Sequence, residues 1–345
     1  MSTVLRRVAV ILAFGFALSP IRASADEGGV SFWLPGQFGS LAAVPGNPGW
    51  SFASIYYHTS VSAGGDVAAA RQATIGRFSP TVAVDLNAQL KVRADLVLLN
   101  ANHVFQTPVL GGQFAVGMTA LVGRPSASID GVLTASVGPF TTTRFGHIDD
   151  ARSGFGDLYP MASLRWNHGV HNFMTYVTGD IPVGMYSSDR LANLGIGHAA
   201  VDAGFGYTYL NPGTGHELSV TTGVTNNFKN PDTGYRNGID WHLDWGASQF
   251  LSQQLHIGAV GYVYQQLTAD KGAPLILGDN KSSVLGVGPQ LGYIFPVGNM
   301  QGYLNVKGYY EFNAHNRPEG WNAWLTFAIS PAAPGAPPTS RLVRK

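Results

Sequence analysis

The sequence predicts an all-β chain: a transmembrane antiparallel β-barrel of about fourteen strands, twelve being compatible, with an N-terminal segment placed to plug its lumen. Three observations predict it. Period-two alternation of apolar and polar residues recurs along most of the chain, no comparable stretch carries the i, i+3, i+4, i+7 spacing of an amphipathic helix, and turn-rich breaks separate the alternating runs.

Residues 82–93 show the pattern without a miss: Val82, Val84, Leu86, Ala88, Leu90 and Val92 are apolar, and Asp85, Asn87, Gln89, Lys91 and Arg93 lie between them. Successive side chains of a strand point to opposite faces, so such a run has one apolar and one wet side. About ten residues is also the length a tilted strand needs to cross a bilayer. The same pattern runs through Leu158, Pro160, Ala162, Leu164 and Trp166, through Ile239, Trp241, Leu243, Trp245 and Ala247, and through Leu304, Val306, Tyr310 and Phe312. Residues 216–228 and 321–330 repeat it less strictly.

The first 25 residues differ in kind. Arg6 and Arg7 precede the uncharged run 8–18, and Ala23, Ser24 and Ala25 precede Asp26, which reads as a cleavable export signal cut after Ala25. The apolar run is too short to span roughly 30 Å of hydrocarbon as a helix. Loss of Arg6, Arg7 and Arg22 leaves 18 basic against 20 acidic residues, a balance that offers nothing to nucleic acid. The charged fraction is 12%, about half the roughly 25% of soluble domains, as an outer surface facing lipid requires. Cysteine is absent, which excludes a disulfide framework, cysteine catalysis and thiolate metal sites.

Residues 26–49 follow, rich in Gly and Pro with Phe32, Trp33, Leu34 and Phe38 interspersed; they are too broken for a strand and need shelter for their rings, so they are read as a plug in the lumen, with a disordered leader as the alternative. The barrel is assigned to 50–330. Candidate strands fall near 50–60, 81–91, 95–106, 112–123, 128–141, 155–167, 170–181, 198–210, 215–228, 237–251, 255–267, 282–296, 300–313 and 320–330. The uncharged stretch 96–123 carries Asn100, Asn102, His103, Gln106, Pro108 and Gly111, which suit two strands joined by a turn and not a membrane helix. With short turns read at 92–94 and 124–127, short and long connections alternate, as in outer-membrane barrels. Residues 331–345, Pro-rich and ending in Arg341, Arg344 and Lys345, read as a disordered tail.

Five motifs carry a family resemblance: Phe32-Trp33-Leu34-Pro35-Gly36-Gln37-Phe38-Gly39, Gly154-Phe155-Gly156-Asp157-Leu158-Tyr159-Pro160, His242-Leu243-Asp244-Trp245, Gly288-Pro289-Gln290-Leu291-Gly292-Tyr293, and Asn316-Arg317-Pro318-Glu319-Gly320-Trp321-Asn322. In their order they resemble the outer-membrane proteins of the meta-pathway of phenol degradation, over nearly the whole exported chain. The resemblance implies a Gram-negative outer-membrane barrel, inserted by the barrel-assembly machinery, that passes small hydrophobic or aromatic compounds without a cofactor. The basic tail beyond the last strand departs from barrels that end on an aromatic residue.

If apolar residues face lipid, the lumen receives Asp85, Asn87, Gln89, Lys91, Asp157, Arg165, Glu217, Asp240, His242, Asp244, Lys307 and Glu311. Both signs are present, which suits ion pairs that rigidify the interior or a polar path for solute. Asp240, His242 and Asp244 share one face of one strand and, with Ser248, raise a second reading as a metal site or a barrel hydrolase of the lipase or deacylase type. Same-face neighbours stand roughly 6.5 to 7 Å apart along a strand, which is loose for a triad. A third reading is a structural or adhesive barrel that acts through its loops.

Overall fold

In the computed structural model, residues 31–67, 73–74, 81–137, 140–272 and 281–332 are described. The predicted export signal lies outside them, as does the tail from residue 333. The strands are β1 (Gly49–Val67), β2 (Ala73–Thr74), β3 (Thr81–Val104), β4 (Gln113–Val137), β5 (Phe140–Ala151), β6 (Gly154–His168), β7 (His171–Asp180), β8 (Ala200–Asn211), β9 (His216–Asn227), β10 (Ile239–Phe250), β11 (Leu255–Gln266), β12 (Ser283–Val297), β13 (Met300–His315) and β14 (Glu319–Pro331).

Twelve of them close into one antiparallel barrel. Each pairs with its neighbour in sequence from β6 to β14, β4 pairs with both β3 and β6, β3 pairs with β1, and β1 meets β14 from Phe52↔Ile329 to Ser62↔Glu319. Closure pairs the backbone polar groups of every wall strand, which is what hydrocarbon demands. Outward positions carry Val201, Phe205, Leu218, Val224, Ile257, Leu291, Val306 and Phe327, all exposed. Trp50 and Trp166 mark the short-turn end, Tyr310 and Trp321 the loop end, as the aromatic girdles of a membrane barrel do.

The strand number is twelve and not fourteen because two of the turns read from sequence do not exist. Residues 92–94 run straight through β3, and 124–127 run straight through β4, in unbroken register: Arg93↔Ser126, Ala94↔Pro125, Asp95↔Arg124. Arg93, Asp95 and Arg124 interrupt the apolar pattern, but charge does not bend a chain whose neighbour pairs at every position; Pro125 is accommodated in the ladder, its carbonyl accepting from Arg152 N–H (3.2 Å). Removing these turns also moves the Pro108–Gly112 turn, closed by the Val109↔Gly112 bridge, to the short-turn end beside β1's start at Gly49.

The upper halves of β1, β3 and β4, with β2 and β5, stand beyond the barrel rim as a projecting sheet, since β6 pairs with β4 only from Gln113↔Arg165 to Gly123↔Gly154 and β5 takes over from Ser126↔Ala151. The run at residues 82–93 belongs to this projection and not to the lipid belt. From Gln89 on, its faces are also opposite to those expected. Ala94, Leu96 and Leu98 point inward and are buried, Lys91, Arg93 and Asp95 point outward, and Gln89 lies on that exposed outer face and not in the lumen. Asp85 and Asn87 pair opposite Thr134 and Val132 in the backbone of the same projection. Alternation defines two faces; only the partner strands decide which is inside.

Candidate functional site: the occluded lumen

On β10 the even-numbered residues point inward, and Asp240, His242 and Asp244 are at most 1% exposed. Equivalent inward positions are Asp157 on β6, Asp202 on β8, Glu217 on β9, and Lys307 and Glu311 on β13, all buried. Buried charges must be met by partners. Several of theirs come from residues 31–48, which lie inside the barrel.

This internal segment makes two tight turns, closed by Gln37 N–H to Leu34 C=O (3.2 Å) and Val44 N–H to Leu41 C=O (3.1 Å). Asp244 accepts from the N–H groups of Gly36 (2.9 Å) and Phe38 (3.2 Å). From the opposite side Lys307 Nζ donates to the carbonyls of Gly36, Gln37 (3.1 Å) and Phe38 (3.0 Å). One peptide turn is thus held between a carboxylate on its donors and an ammonium on its acceptors. Lower down, Glu217 accepts from Ser40 Oγ and from Leu41 N–H (2.9 Å), and Ala43 N–H reaches Thr208 Oγ1 (3.1 Å).

Close approach is part of the design. Gly36 has φ +87°, and a Cβ there would stand 2.9 Å from the Tyr309 ring, so this position needs glycine for backbone and space alike. Leu34 packs against a buried cluster that includes Tyr57, Tyr262, Tyr309 and Trp324, and Lys307 Nζ lies 5.1 Å from the Trp324 ring centre. Trp33 stacks on His242 at 3.5 Å between centroids and 13° between planes. The interior therefore offers aromatic surface beside a few placed charges, most of it covered by the chain's own segment.

A second element closes the lumen from the loop end. In the connection 181–199, Ala192, Leu194, Ile196 and His198 are buried, and the Asp157 carboxylate accepts from Gly184 N–H (2.7 Å) and Ile196 N–H (2.8 Å). Ile196 and Ala200 pack on Phe32, so the loop rests on the internal segment.

The remaining candidates have structural partners. Glu311 accepts from Tyr262 OH (2.6 Å) and Gly320 N–H (3.1 Å), Asn227 Nδ2 donates to Asp240 (2.8 Å), and Arg165 Nη1 donates to Ser163 Oγ (2.7 Å) near the short-turn end. Asp240, His242 and Asp244 do not act as one cluster: His242 Nε2 meets Asp202 (3.0 Å), and the two aspartates turn to other partners. Ser248 instead touches His256 Nδ1 (3.2 Å), whose Nε2 meets Tyr303 OH (3.1 Å), so a phenol stands where a triad's orienting carboxylate would. Among the described residues no group of three or more His, Asp or Glu is placed to hold a metal ion. Sequence reasoning missed Asp202 and Thr208, which sit in a strand whose alternation is diluted by glycine, and Tyr176 and Tyr309, whose uncharged rings do not mark a lumen-facing position.

A closed barrel with a lipid-facing apolar belt and a lumen filled by its own N-terminal segment defines a membrane β-barrel of the outer-membrane type. The chain belongs to the family described as "Putative MetA-pathway of phenol degradation", whose model matches residues 46–327. Its fold is similar to that of an outer membrane channel from Pseudomonas putida F1, with a TM-score of 0.60 at 14% identity over 82% of this chain and 96% of that one. A Pseudomonas aeruginosa FadL homologue matches at TM-score 0.37 and 10% identity (82% and 90% covered), and the translocator domain of the Neisseria meningitidis autotransporter NalP at 0.35 and 10% (84% and 91%). No curated protein matches the sequence.

Proposed function

We propose that this protein is a passive outer-membrane channel for small hydrophobic or aromatic compounds, exported by its N-terminal signal, with its short turns in the periplasm and residues 31–48 as a plug. The observation that carries the reading is the clamp of Asp244 and Lys307 on the turn at Gly36, which lays the plug against the aromatic wall of Tyr57, Tyr262, Tyr309 and Trp324. An aromatic surface with few charges suits apolar rings better than sugars or ions. Family membership and the likeness of fold to a channel support the reading; no energy source or catalytic step is part of it. Deleting residues 31–44 tests it in planar bilayers: the deletion should conduct several-fold more than the intact protein, and equal conductance would sink the plug. Slower growth of a gene-deleted strain on aromatic than on sugar carbon sources tests the solute class; equal growth on both would remove it.

A further inference from the structure

At the loop end, residues 182–199 and 228–232 line a half-open cavity of about 510 Å³ that takes no part in the plug's clamp. Pro182 and the rings of Tyr186 and Phe228 line it together with His198, Ala199, Lys229 and Asp232. His198 is 2% exposed, whereas Lys229 and Asp232 are exposed, so the cavity runs from a buried floor to a mouth that carries one charge of each sign.

The cavity is braced. Phe228 N–H donates to Ala199 C=O (3.0 Å), joining the two segments, and Asn230 Nδ2 donates to Tyr186 OH (2.9 Å). Gly197 has φ +76°, and a Cβ there would stand 2.6 Å from the Tyr186 ring, so the wall keeps its shape only with glycine. His198 Nδ1 lies 3.0 Å from the Ala199 carbonyl and donates to it, which leaves Nε2 as an acceptor. About 150 Å³ of dry cavity is enough for benzene, so the space holds one substituted ring with water.

The floor adjoins residues that pack on the plug. Residue 196, beside it, donates its N–H to Asp157 and packs on Phe32, and Ala200 on the other side packs on the same ring. A molecule in the cavity thus touches the stretch that holds both the loop and the plug's upper end.

We propose that this cavity is the outer capture site for the channel's solute, and that it takes a single aromatic ring bearing one hydroxyl. The ring lies against Phe228 and Tyr186, and the hydroxyl donates to His198 Nε2 or accepts from the Lys229 ammonium. The inference rests on the channel reading and adds to it a place and a solute class.

The test is fluorine NMR of para-fluorophenol with the exported protein in lipid nanodiscs, against empty discs and against fluorobenzene, which lacks the oxygen. The protein should broaden the para-fluorophenol line beyond empty discs, and fluorobenzene much less. Ala199→Trp, which fills the cavity, and Lys229→Met, an exposed change the fold tolerates, should each weaken binding about tenfold, roughly what one charged hydrogen bond or a filled pocket controls. Wild-type binding that survives both variants overturns the site, and equal binding of the two compounds overturns the solute class. Absence of any binding to the wild type overturns the inference alone, since the channel reading is judged by the conductance of the plug deletion. If Ala199→Trp fails to fold, Lys229→Met and Phe228→Ala decide.

Discussion

Lys307 and Asp244 show how little of a lumen charge's role is visible in its own residue type. Lys307→Met removes three charge-assisted bonds from the Gly36 turn, each worth about 1.5 to 3 kcal/mol. The expected result is a shift of at least about tenfold toward the conducting state, read as open time in single-channel recordings. Gly36→Ala acts on the same turn by strain: its Cβ meets the Tyr309 ring and its φ is left-handed, a cost of about 1 to 3 kcal/mol. Conductance should rise while the barrel stays folded; a variant as closed as wild type would show that the turn is not held where Tyr309 places it.

On the projecting sheet His147 lies between Asp130 (2.7 Å from Nδ1) and Asp149 (2.6 Å from Nε2). The hydrogen bond to Asp130, then that to Asp149, holds its pKa above the ordinary histidine value. The folded-state pKa is raised, so the contact stabilises the sheet fully below the unfolded pKa and is lost as pH rises through the folded one. An NMR titration of His147 should give a midpoint above that of a free histidine, and Asp130→Asn should lower it.

At the scale of elements, β3 and β4 are the decisive case. Asp95 and Arg124 pair directly across these strands, and directly opposed residues stand about 4.5 to 5.5 Å apart at Cβ. Since the chain has no cysteine, Asp95→Cys with Arg124→Cys gives a clean test: mild oxidation should link the two within the monomer. Failure to link would restore the turns at 92–94 and 124–127. The turns expected there fall where charges break an apolar run, a sound rule inside a membrane, where strands end near the charged rim. It fails here because the strands continue, fully paired, past the rim into water, where charge costs nothing. The other turns, at 169–170, 212–215, 251–254 and 298–299, were legible because each supplies glycine, asparagine or serine to a tight reversal.

For the whole molecule, closure depends on the seam between β1 and β14. Truncation after Ala332 leaves that seam whole, and the protein should keep the heat-modifiable migration of a folded barrel in detergent gels. Truncation after Ala323 removes the pairing from Tyr57↔Trp324 to Phe52↔Ile329 and should abolish it. The seam was legible only as an even strand count; the particular register was not, because any two alternating strands can pair.

Alternation, composition and turn residues determined by themselves that the chain is all-β, that its wall is apolar outside, and that most of the charged residues of β6, β9, β10 and β13 point inward, because period two is a local property of the backbone. Tertiary structure alone decided that β3 turns its apolar face inward, that twelve strands close the wall, and that three of the inward charges, Glu217, Asp244 and Lys307, serve peptide groups of the chain's own N-terminal segment. Those outcomes depend on partners far apart in sequence, such as Gly36 with Asp244 and Lys307, and a local pattern carries no record of which distant segment will satisfy a buried charge.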